Sequence, residues 1–511
     1  MGEPLGQLPL SIAGAPTIEL PEDALTASDD AGALALALVT SVADDAEGEP
    51  VRRWAVGRAT TGSVQVSYLA RPIADEPRSA PPLELRREGT GLSGAVKGFL
   101  VLPPGPEDLA FELQWVQPAG QSNTGNWMAV TSLGEGTGDD SELAGAGLEL
   151  LGDTYVMCGD LTERHHRDGQ MSTWWLTTPG FDVAAFTAYV GRTYQVMSEA
   201  FAAPAHPYRV FLRAHPHRGA NASAHPASFV MAMNPANPLD VSKVDETIAH
   251  ELVHEWLHLD GPEHEATWFN EGSADYYSLV VPLREGILDE AAFLHAINQE
   301  SRTGYASPRR HLTMQEATPL FFTDVLAHRL PYVRGMFYLA DLDGRLRIAT
   351  SGRQSVDDIV RDVVRRRRDG ERIGIRGWCA RVDEVLRGDE LQALESLVLT
   401  GAGRPGPGTF APRFEMTEVD VPVLDVGFDF STFVTRRVEG LVPGGPAERA
   451  GLAEGDEVEL PSYTEALSLN TDDVLSIRAT RDGETILAAI PLCDQTTAVP
   501  QWHRQRATGG R

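Results

Sequence analysis

The stretch His250-Glu251-Leu252-Val253-His254 decides how this chain is interpreted. Apolar residues around it recur at helical spacing and predict an amphipathic helix; they are Ile248, Leu252, Val253 and Trp256. On such a helix His250 and His254 lie one turn apart and point the same way, so their imidazoles can bind one metal ion. Glu251 projects beside that ion and can reach a water molecule there. The spacing therefore predicts a catalytic zinc site with one Zn²⁺ per chain.

A catalytic zinc ion needs a third protein ligand and one open position. Glu271 is the best candidate, because the sixteen residues between it and His254 let the first helix end, turn at Gly261-Pro262 and return a second helix. Asp275 follows Glu271 by four residues on the same helical face. It is predicted, together with Asn270, to position the metal ligands.

Two other residues are weaker candidates for the third ligand. His258 lies one turn beyond His254, and three ligands in a row on one straight helix splay too far apart for a tetrahedral ion. Asp260 lies six residues after His254, where metzincin proteases place their third ligand, but Leu257 stands where those proteases need glycine. The remaining alternative is that both histidines are ordinary, partly buried side chains. The acidic residues at useful offsets argue against it.

Taken together, these residues resemble the gluzincin metallopeptidases. The similarity consists of His250-Glu251-x-x-His254 followed by Trp268-x-x-Glu271-Gly272 and Tyr276-Tyr277. Two families are most similar. They are the aminopeptidase N family and the glycyl aminopeptidase family, whose members join a β-rich domain, a thermolysin-like catalytic domain and a PDZ domain. The resemblance implies a zinc metallopeptidase that acts on a peptide or protein substrate, with aminopeptidase activity as one form.

The order of sequence patterns predicts a multidomain α+β protein. Residues 1–195 carry short alternating runs broken by Pro and Gly, which predicts a β-rich N-terminal domain. Tyr208 to Leu212 predicts a strand, and residues 196–400 are expected to form a thermolysin-like mixed α/β catalytic domain with a helical subdomain. After a linker rich in Gly and Pro, residues 410–500 are expected to form a PDZ-like β module.

A downstream segment, Pro331-Tyr332-Val333-Arg334-Gly335, resembles the Tyr-x-Lys/Arg-Gly segment of both families. In the aminopeptidase N family that tyrosine stabilises the tetrahedral intermediate. The resemblance thus implies that Tyr332 donates its O–H to the developing oxyanion. The alternative is that Tyr332 is only an aromatic side chain on a helix face.

One departure from the families concerns the free amine of the substrate. Before the zinc helix the families carry a short strand with a glutamate that binds this amine, and the corresponding stretch is Asn221-Ala222-Ser223-Ala224-His225. His225 is kept, but Ala224 stands in place of the glutamate and cannot pair with an ammonium group. Ala224 and His225 are therefore the candidate substrate-binding positions, and the sequence predicts hydrolysis without predicting selectivity for free N-termini.

The C-terminal segment Val438–Val458 resembles a PDZ domain, with a Pro-Gly turn, a short helix and a second turn at Gly455-Asp456. Upstream, Gly427 and Phe428 correspond to the carboxylate-binding loop. Their backbone N–H groups are expected to hold a peptide C-terminus that adds as an extra strand. The alternative is a packing domain with a blocked groove.

Composition limits the partners. The 511 residues suffice for about two to four domains. The formal charge of −30 repels phosphate backbones, so no nucleic-acid partner is expected. No stretch approaches the ~18 consecutive apolar residues of a membrane helix, so no membrane span is expected. The first residues lack a secretory-signal pattern, which favours the cytoplasm, or the periplasm or exterior if a signal is removed.

Two rival functions stay open from sequence. The first is a PDZ-type peptide-binding protein whose peptidase domain is a vestigial scaffold, and the complete ligand set argues against it. The second is a zinc hydrolase of non-peptide substrates such as an ester or epoxide. The alanine at position 224 leaves the second open.

Overall fold

Strands dominate the first half of the chain, and helices dominate the second. A computed structural model describes residues 3–21, 23–41, 50–74, 81–104, 109–116, 127–136, 142–167, 169–216, 220–236, 245–423, 425–461, 474–491 and 496–505. The chain divides into two compact units, of which the first is Met1–Tyr194 with Ala205–Glu255 and the second is Gln195–Pro204 with Trp256–Arg511. The division into three domains at 1–195, 196–400 and 410–500 stays a prediction.

The strands of the first unit are mostly short, as expected from the Pro and Gly clusters between them. In chain order they are β1 (Glu3–Pro9), β2 (Ser11–Ile12), β3 (Ala15–Pro16), β4 (Thr26–Asp29), β5 (Gly32–Leu34), β6 (Leu36–Ser41), β7 (Val51–Val56), β8 (Gln65–Ser67), β9 (Arg86–Glu88), β10 (Gly91–Ala95), β11 (Ala110–Gln114), β12 (Trp127–Thr131), β13 (Gly134–Gly136), β14 (Glu142–Ala146), β15 (Tyr155–Asp160), β16 (Thr162–His165), β17 (Met171–Trp175), β18 (Tyr208–Ala214), β19 (Ala220–His225) and β20 (Ser228–Met233). The helices are α1 (Leu148–Asp153), the part of α2 (Val183–Ala200) up to Tyr194, and α3 (Asp245–Val253).

One mixed sheet of the first unit leads to the candidate site. Its strand order is β16-β17-β18-β20-β19. The pairs β17–β18 and β18–β20 are parallel, and the outer pairs β16–β17 and β19–β20 are antiparallel. Every residue of β20 is buried, which is typical of a strand covered on both faces. The strand predicted at Tyr208 to Leu212 is confirmed as β18.

A second five-stranded sheet, β13-β12-β15-β10-β9, is antiparallel throughout. Residues of both five-stranded sheets share one hydrophobic core; among them are Ala95, Val130, Tyr155, Met157, Trp174, Phe211 and Val230. Smaller sheets complete the unit, in the orders β1-β7-β6, β5-β4-β8, β11-β14 and β2-β3. The mixed sheet therefore packs against the second sheet through this shared core.

The second unit is built on helices, followed by short strands. The helices are α4 (Glu263–Arg284), α5 (Glu290–Tyr305), α6 (Met314–Ala317), α7 (Val325–Thr350), α8 (Val356–Arg368), α9 (Ile375–Leu386), α10 (Glu390–Leu394), α11 (Thr432–Thr435) and α12 (Pro446–Arg449). The strands are β21 (Phe414–Pro422), β22 (Glu457–Glu459), β23 (Val474–Arg481), β24 (Glu484–Pro491) and β25 (Thr496–Arg504), in the sheets β21-β25 and β22-β23-β24.

Helix α7 is the central helix of the second unit. It begins where the Asp324 carboxylate accepts hydrogen bonds from the N–H groups of Leu326 and Ala327, at 2.9 and 3.2 Å. Apolar residues lie on all sides of α7, so most of it is buried, and α4 packs along it. This packing matters for the site because α4 carries Glu271 and α7 carries Tyr332.

The last part of the second unit packs around an apolar cluster that includes Val426, Phe428, Val438, Leu475, Ile477 and Ile490, together with Leu326 at the start of α7. Along β23 buried and exposed residues alternate, as in a strand with one face on a core. The PDZ-like character of residues 410–500 stays a prediction. Among the helices of the described ranges, none has the length and apolarity needed to cross a membrane.

Candidate functional site

Helix α3 presents the two histidines of the motif. It carries Asp245 and Glu246 in its first turn, where carboxylates favour the positive end of the helix. Ile248, Leu252 and Val253 are fully buried and fix which face turns inward. The helix ends at Val253, so His254 stands at the start of the following turn. The sequence had predicted that His254 lies inside the helix.

His250 and His254 face one another closely. Their Nε2 atoms are 3.1 Å apart, and the two rings are inclined at 78°. Two nitrogen ligands at the usual distance from a tetrahedral zinc ion lie about 3.3 Å apart. The observed separation is close to that value, so the pair fits a shared zinc ion without rearrangement of α3.

Glu271 completes a donor set with these histidines. Among the described residues, one group of His, Cys, Asp or Glu side chains is spaced to hold a metal ion, and it consists of His250, His254 and Glu271. One ligand atom from each lies within 4.8 Å of the others. Two imidazoles and one carboxylate form a donor set of catalytic zinc sites, so the chemistry of the residues fits this metal.

The rival third ligands lie elsewhere in the structure. Asp260 accepts a hydrogen bond from the Ile373 N–H at 2.6 Å and pairs with the Arg367 guanidinium. It therefore connects two segments of the second unit. His258 is exposed. Neither residue belongs to the group that is spaced to hold a metal.

Asn270 and Asp275 flank Glu271 on α4. The Asn270 side-chain oxygen accepts a hydrogen bond from the Leu259 N–H at 2.9 Å, which fixes the chain just before α4. Asp275 accepts a hydrogen bond from the Arg329 guanidinium at 3.1 Å, and Arg329 also pairs with Glu300 at 2.6 Å. The suggested role of Asp275 in orienting a histidine stays a prediction.

A close contact between two glycines sets the distance from Glu271 to Tyr332. A Cβ atom added to Gly272 of α4 would lie 2.4 Å from the Gly335 Cα atom of α7, and one added to Gly335 would overlap the Trp268 carbonyl oxygen. Only residues without a side chain allow the two helices this approach. Glu271 precedes the first glycine by one residue and Tyr332 precedes the second by three, so the crossing brings both into one neighbourhood.

Tyr332 is partly buried, and its surroundings favour the protonated phenol. Loss of hydration raises the pKa of Tyr332 well above its ordinary value, and the nearby Glu271 carboxylate, which is hydrogen-bonded to the phenol, raises it further. The guanidinium carbon of Arg329 lies 4.4 Å from the centre of the tyrosine ring. The phenol is therefore an O–H donor at neutral pH.

Ala224 and His225 lie at the end of β19, an edge strand of the mixed sheet. The His225 Nδ1–H donates to the Asp153 carbonyl oxygen at 2.8 Å. Burial lowers the pKa of His225 to about 4, so its ring is neutral at pH 7. Ala224 brings no charge to this edge, and its place in substrate binding stays a prediction.

Gly427 and Phe428, which were expected to form the carboxylate-binding loop, make contacts within the protein. Gly427 has a φ of 73°, and its N–H donates to the Asp425 carboxylate at 3.2 Å. The Phe428 side chain is only 4% exposed and belongs to the apolar cluster of this segment. The loop conformation needs glycine, while the Phe428 side chain serves packing.

Sequence reasoning missed three contributors to the site. Arg329 contacts both Asp275 and the ring of Tyr332; the spacing of three residues on one helix accounts for the second contact, but nothing in the local sequence indicates the first. Gly272 and Gly335 belong to the sequence motifs, but the motifs alone give no reason why a side chain would not fit there. Two glycines that each follow a predicted site residue on separate long helices would have been a signal for a close helix crossing.

Solved structures of other proteins have a similar fold. No family model and no curated protein matches the sequence. Among solved structures, an aminopeptidase N family protein from Idiomarina loihiensis is similar over 99% of this chain and 94% of its own, with a TM-score of 0.70 at 14% identity. The fold is similar to the M1 aminopeptidase fold. A mutant M1 zinc metallopeptidase from Deinococcus radiodurans is similar over 79% of this chain and 89% of its own, with a TM-score of 0.50 at 16% identity.

The M1 aminopeptidase fold is multidomain and mixed α/β, which confirms the expected class at that level. At this level of identity the similarity concerns the fold, and the resemblance to the gluzincin metallopeptidases stays a prediction from the motif. The finer resemblance to the PDZ-containing glycyl aminopeptidase family stays a prediction.

Proposed function

We propose that this chain is a zinc metallopeptidase that hydrolyses peptide bonds. The observation that carries the proposal is the donor set of His250, His254 and Glu271, whose ligand atoms lie within 4.8 Å of one another. Beside this set, Glu251 is only 8% exposed on the same helix as His250. The M1 aminopeptidase fold supports the proposal independently, because it rests on the whole chain rather than on the motif.

In this proposal His250, His254 and Glu271 hold one zinc ion. When bound, zinc supplies Lewis acidity that activates water for attack at neutral pH. Glu251 accepts a proton from the attacking water as the new C–O bond forms at the scissile carbonyl. It then returns that proton to the leaving nitrogen as the C–N bond breaks, which yields a carboxylate and an amine.

Tyr332 is proposed to stabilise the charge that develops on the carbonyl oxygen. Its phenol is held in the protonated form and lies beside Glu271, so it can donate a hydrogen bond to a substrate oxygen near the metal ligands. A donor fixed in this way stabilises the transition state without reorganisation. Arg329 and the surrounding rings hold the phenol in place.

Aminopeptidase activity is the family form of this chemistry, but position 224 modifies it here. Ala224 at the edge of the mixed sheet has no carboxylate for a substrate amine. We therefore propose a peptidase that accepts peptides without requiring a free N-terminus.

We further propose that residues 410–500 act as a PDZ-like module that binds a peptide C-terminus. The apolar cluster around Phe428 supports a folded module, and the Gly427 N–H, which donates to Asp425, must exchange that bond for the peptide carboxylate. Fluorescence anisotropy of the full chain with a free-acid peptide and its C-terminal amide tests it. Equal affinity for the two would contradict recognition of the carboxylate.

The catalytic proposal is tested by Glu251→Gln. Glutamine keeps the shape of the side chain but cannot accept the proton, so we expect zinc content to be unchanged and kcat to fall by about 10²–10⁴-fold. Glu246→Gln is the matched control, because it makes the same change at an exposed position of the same helix. A Glu251→Gln enzyme that retains its activity would refute the assigned base.

A further inference from the structure

Glu255 follows the metal-ligand candidate His254 directly, and its carboxylate is used within the protein. Its side chain is only 15% exposed. One oxygen accepts a hydrogen bond from the His206 Nε2–H at 2.8 Å, and the other accepts one from the Ala227 N–H at 3.0 Å. A carboxylate with a partner on each oxygen is fixed in both position and orientation. Glu255 therefore ties the segment that carries His254 to two other parts of the first unit.

Both partners of Glu255 belong to the framework of the mixed sheet. Ala227 lies in the turn between β19 and β20, and its carbonyl accepts a hydrogen bond from the Arg209 N–H of β18 at 3.0 Å. His206 lies two residues before β18. Its N–H donates to the Tyr194 hydroxyl at 3.3 Å, while that hydroxyl donates to the His206 carbonyl oxygen at 3.2 Å. The carboxylate is thus held by groups that are themselves fixed.

His254 depends on such support because helix α3 ends before it. His250 lies within α3, where helical hydrogen bonds and buried apolar residues fix the backbone. Helix α3 ends at Val253, and the chain continues into a turn closed by the Glu255 N–H, which donates to the Leu252 carbonyl at 3.2 Å. The 3.1 Å separation of the two histidine Nε2 atoms therefore depends on the turn as much as on the helix.

The bond between His206 and Glu255 joins opposite charges. The carboxylate at Nε2 and the Pro207 carbonyl, 3.2 Å from Nδ1, are both acceptors, so both contacts are made only when the ring carries two protons. The hydrogen bond with Glu255 raises the pKa of His206, which favours this charged form. A charge-assisted bond is about twice as strong as a neutral one, and here it acts on a carboxylate that is mostly shielded from solvent.

We propose that Glu255 is a positioning residue of the zinc site, which locks the turn that carries His254 and so holds the two imidazoles at the separation that one metal ion needs. The inference rests on the proposed zinc peptidase function and adds to it a determinant of metal affinity outside the ligand set. Glu255 acts on the site through the backbone of His254, while its carboxylate is anchored to the sheet framework by His206 and Ala227. Groups that orient metal ligands commonly contribute about 10–100-fold to metal affinity.

The first test measures the zinc affinity of the full chain apart from catalysis, by competition with a chromophoric chelator. Glu255→Ala removes both hydrogen bonds and is expected to weaken zinc binding by up to about 100-fold. Glu255→Gln keeps an acceptor for the Ala227 N–H but loses the charge that pairs with His206, so we expect it to weaken binding by about tenfold. An unchanged affinity in Glu255→Ala, or in Glu255→Gln should the alanine variant not fold, would overturn the proposal.

The second test reads the geometry of the site from Co²⁺ bound in place of zinc, because the visible absorption of this ion depends on how its ligands are arranged. At saturating Co²⁺ we expect the spectrum of Glu255→Ala to differ from that of wild type in band position or intensity. An identical spectrum would overturn the positioning role, since the ligands would then be arranged as in wild type.

Glu163→Ala is the matched control for both tests. Glu163 makes the same kind of pair with His165, at 2.9 Å, on β16, which is the edge strand farthest from β19 in the mixed sheet. This variant loses a histidine–carboxylate bond of equal length without touching the turn after α3. It is expected to keep the zinc affinity and the Co²⁺ spectrum of wild type.

The outcomes separate this proposal from the proposed function. If the wild-type chain binds zinc but cuts no peptide, the peptidase proposal fails, while the affinities of the variants still decide the role of Glu255. If peptides are cut but Glu255→Ala keeps the wild-type zinc affinity, or if Glu163→Ala weakens zinc binding equally, the proposal for Glu255 is overturned.

Discussion

Replacement of Tyr332 by phenylalanine tests the oxyanion role most sharply. The substitution removes one oxygen atom and keeps the ring. Contacts of that ring with Arg329, at 4.4 Å, and with Phe321, at 6.2 Å between centres, are therefore preserved. What is lost is the phenol O–H and its hydrogen bond with Glu271.

The expected magnitudes follow from what is removed. Loss of a single transition-state hydrogen-bond donor lowers kcat by about 10²–10³-fold, which corresponds to about 2.7–4 kcal/mol. The free energy of unfolding should fall by only about 0.5–1.5 kcal/mol, because one hydrogen bond is lost and no cavity is made. KM should change little, since the donor acts on charge that develops only in the transition state.

Tyr338→Phe is the matched control on the same helix. The Tyr338 hydroxyl accepts a hydrogen bond from the buried Trp378 Nε1–H at 2.9 Å, so its removal leaves that donor unsatisfied. We expect a loss of about 1–3 kcal/mol in unfolding free energy with unchanged kcat. The assay is steady-state cleavage of a fluorogenic peptide together with denaturant unfolding. A Tyr332→Phe enzyme whose kcat stays within about threefold of wild type would refute the reasoning, because no transition-state donor would then be lost.

The remaining predictions concern specificity and helix packing. Because Ala224 cannot bind an ammonium group, N-acetylated peptides should be cut as fast as the free peptides, as measured by mass spectrometry of the products; strict dependence on a free amine would show that another residue supplies the anchor. Gly335→Ala would place a Cβ atom in collision with the Trp268 carbonyl, so it should cost at least about 1–3 kcal/mol of unfolding free energy and reduce kcat. In Gly388→Ala the added Cβ has nothing within 4 Å, and stability should be kept or slightly raised.

Local periodicity predicted the parts of the site that lie on single elements. Two histidines four residues apart share a helical face, and His250 in α3 and His254 in the turn directly after it keep this close approach. The strand at Tyr208 was predictable from a short run of aromatic and aliphatic residues, of which Val210, Phe211 and Leu212 are consecutive and buried. Glu271 was harder to predict, because its approach depends on the turn before α4, which Asn270 fixes through a side-chain hydrogen bond.

Contacts between elements distant in sequence left no comparable signal. Gly272 and Gly335 touch because two long helices cross at that point, and each glycine alone is an ordinary helix residue. Arg329 lies near Asp275 and Glu300 only because α4 and α5 pack against α7.

Isothermal titration calorimetry of the full chain with zinc tests most directly whether His250, His254 and Glu271 form a metal site. We expect one zinc ion per chain. We expect Glu271→Ala to weaken zinc binding by more than about 100-fold, because losing a ligand costs more affinity than losing a hydrogen bond that supports a ligand. Glu246→Gln should bind zinc as the wild type does. A wild-type chain that binds no zinc, or a Glu271→Ala chain that binds it equally well, would contradict the metal site.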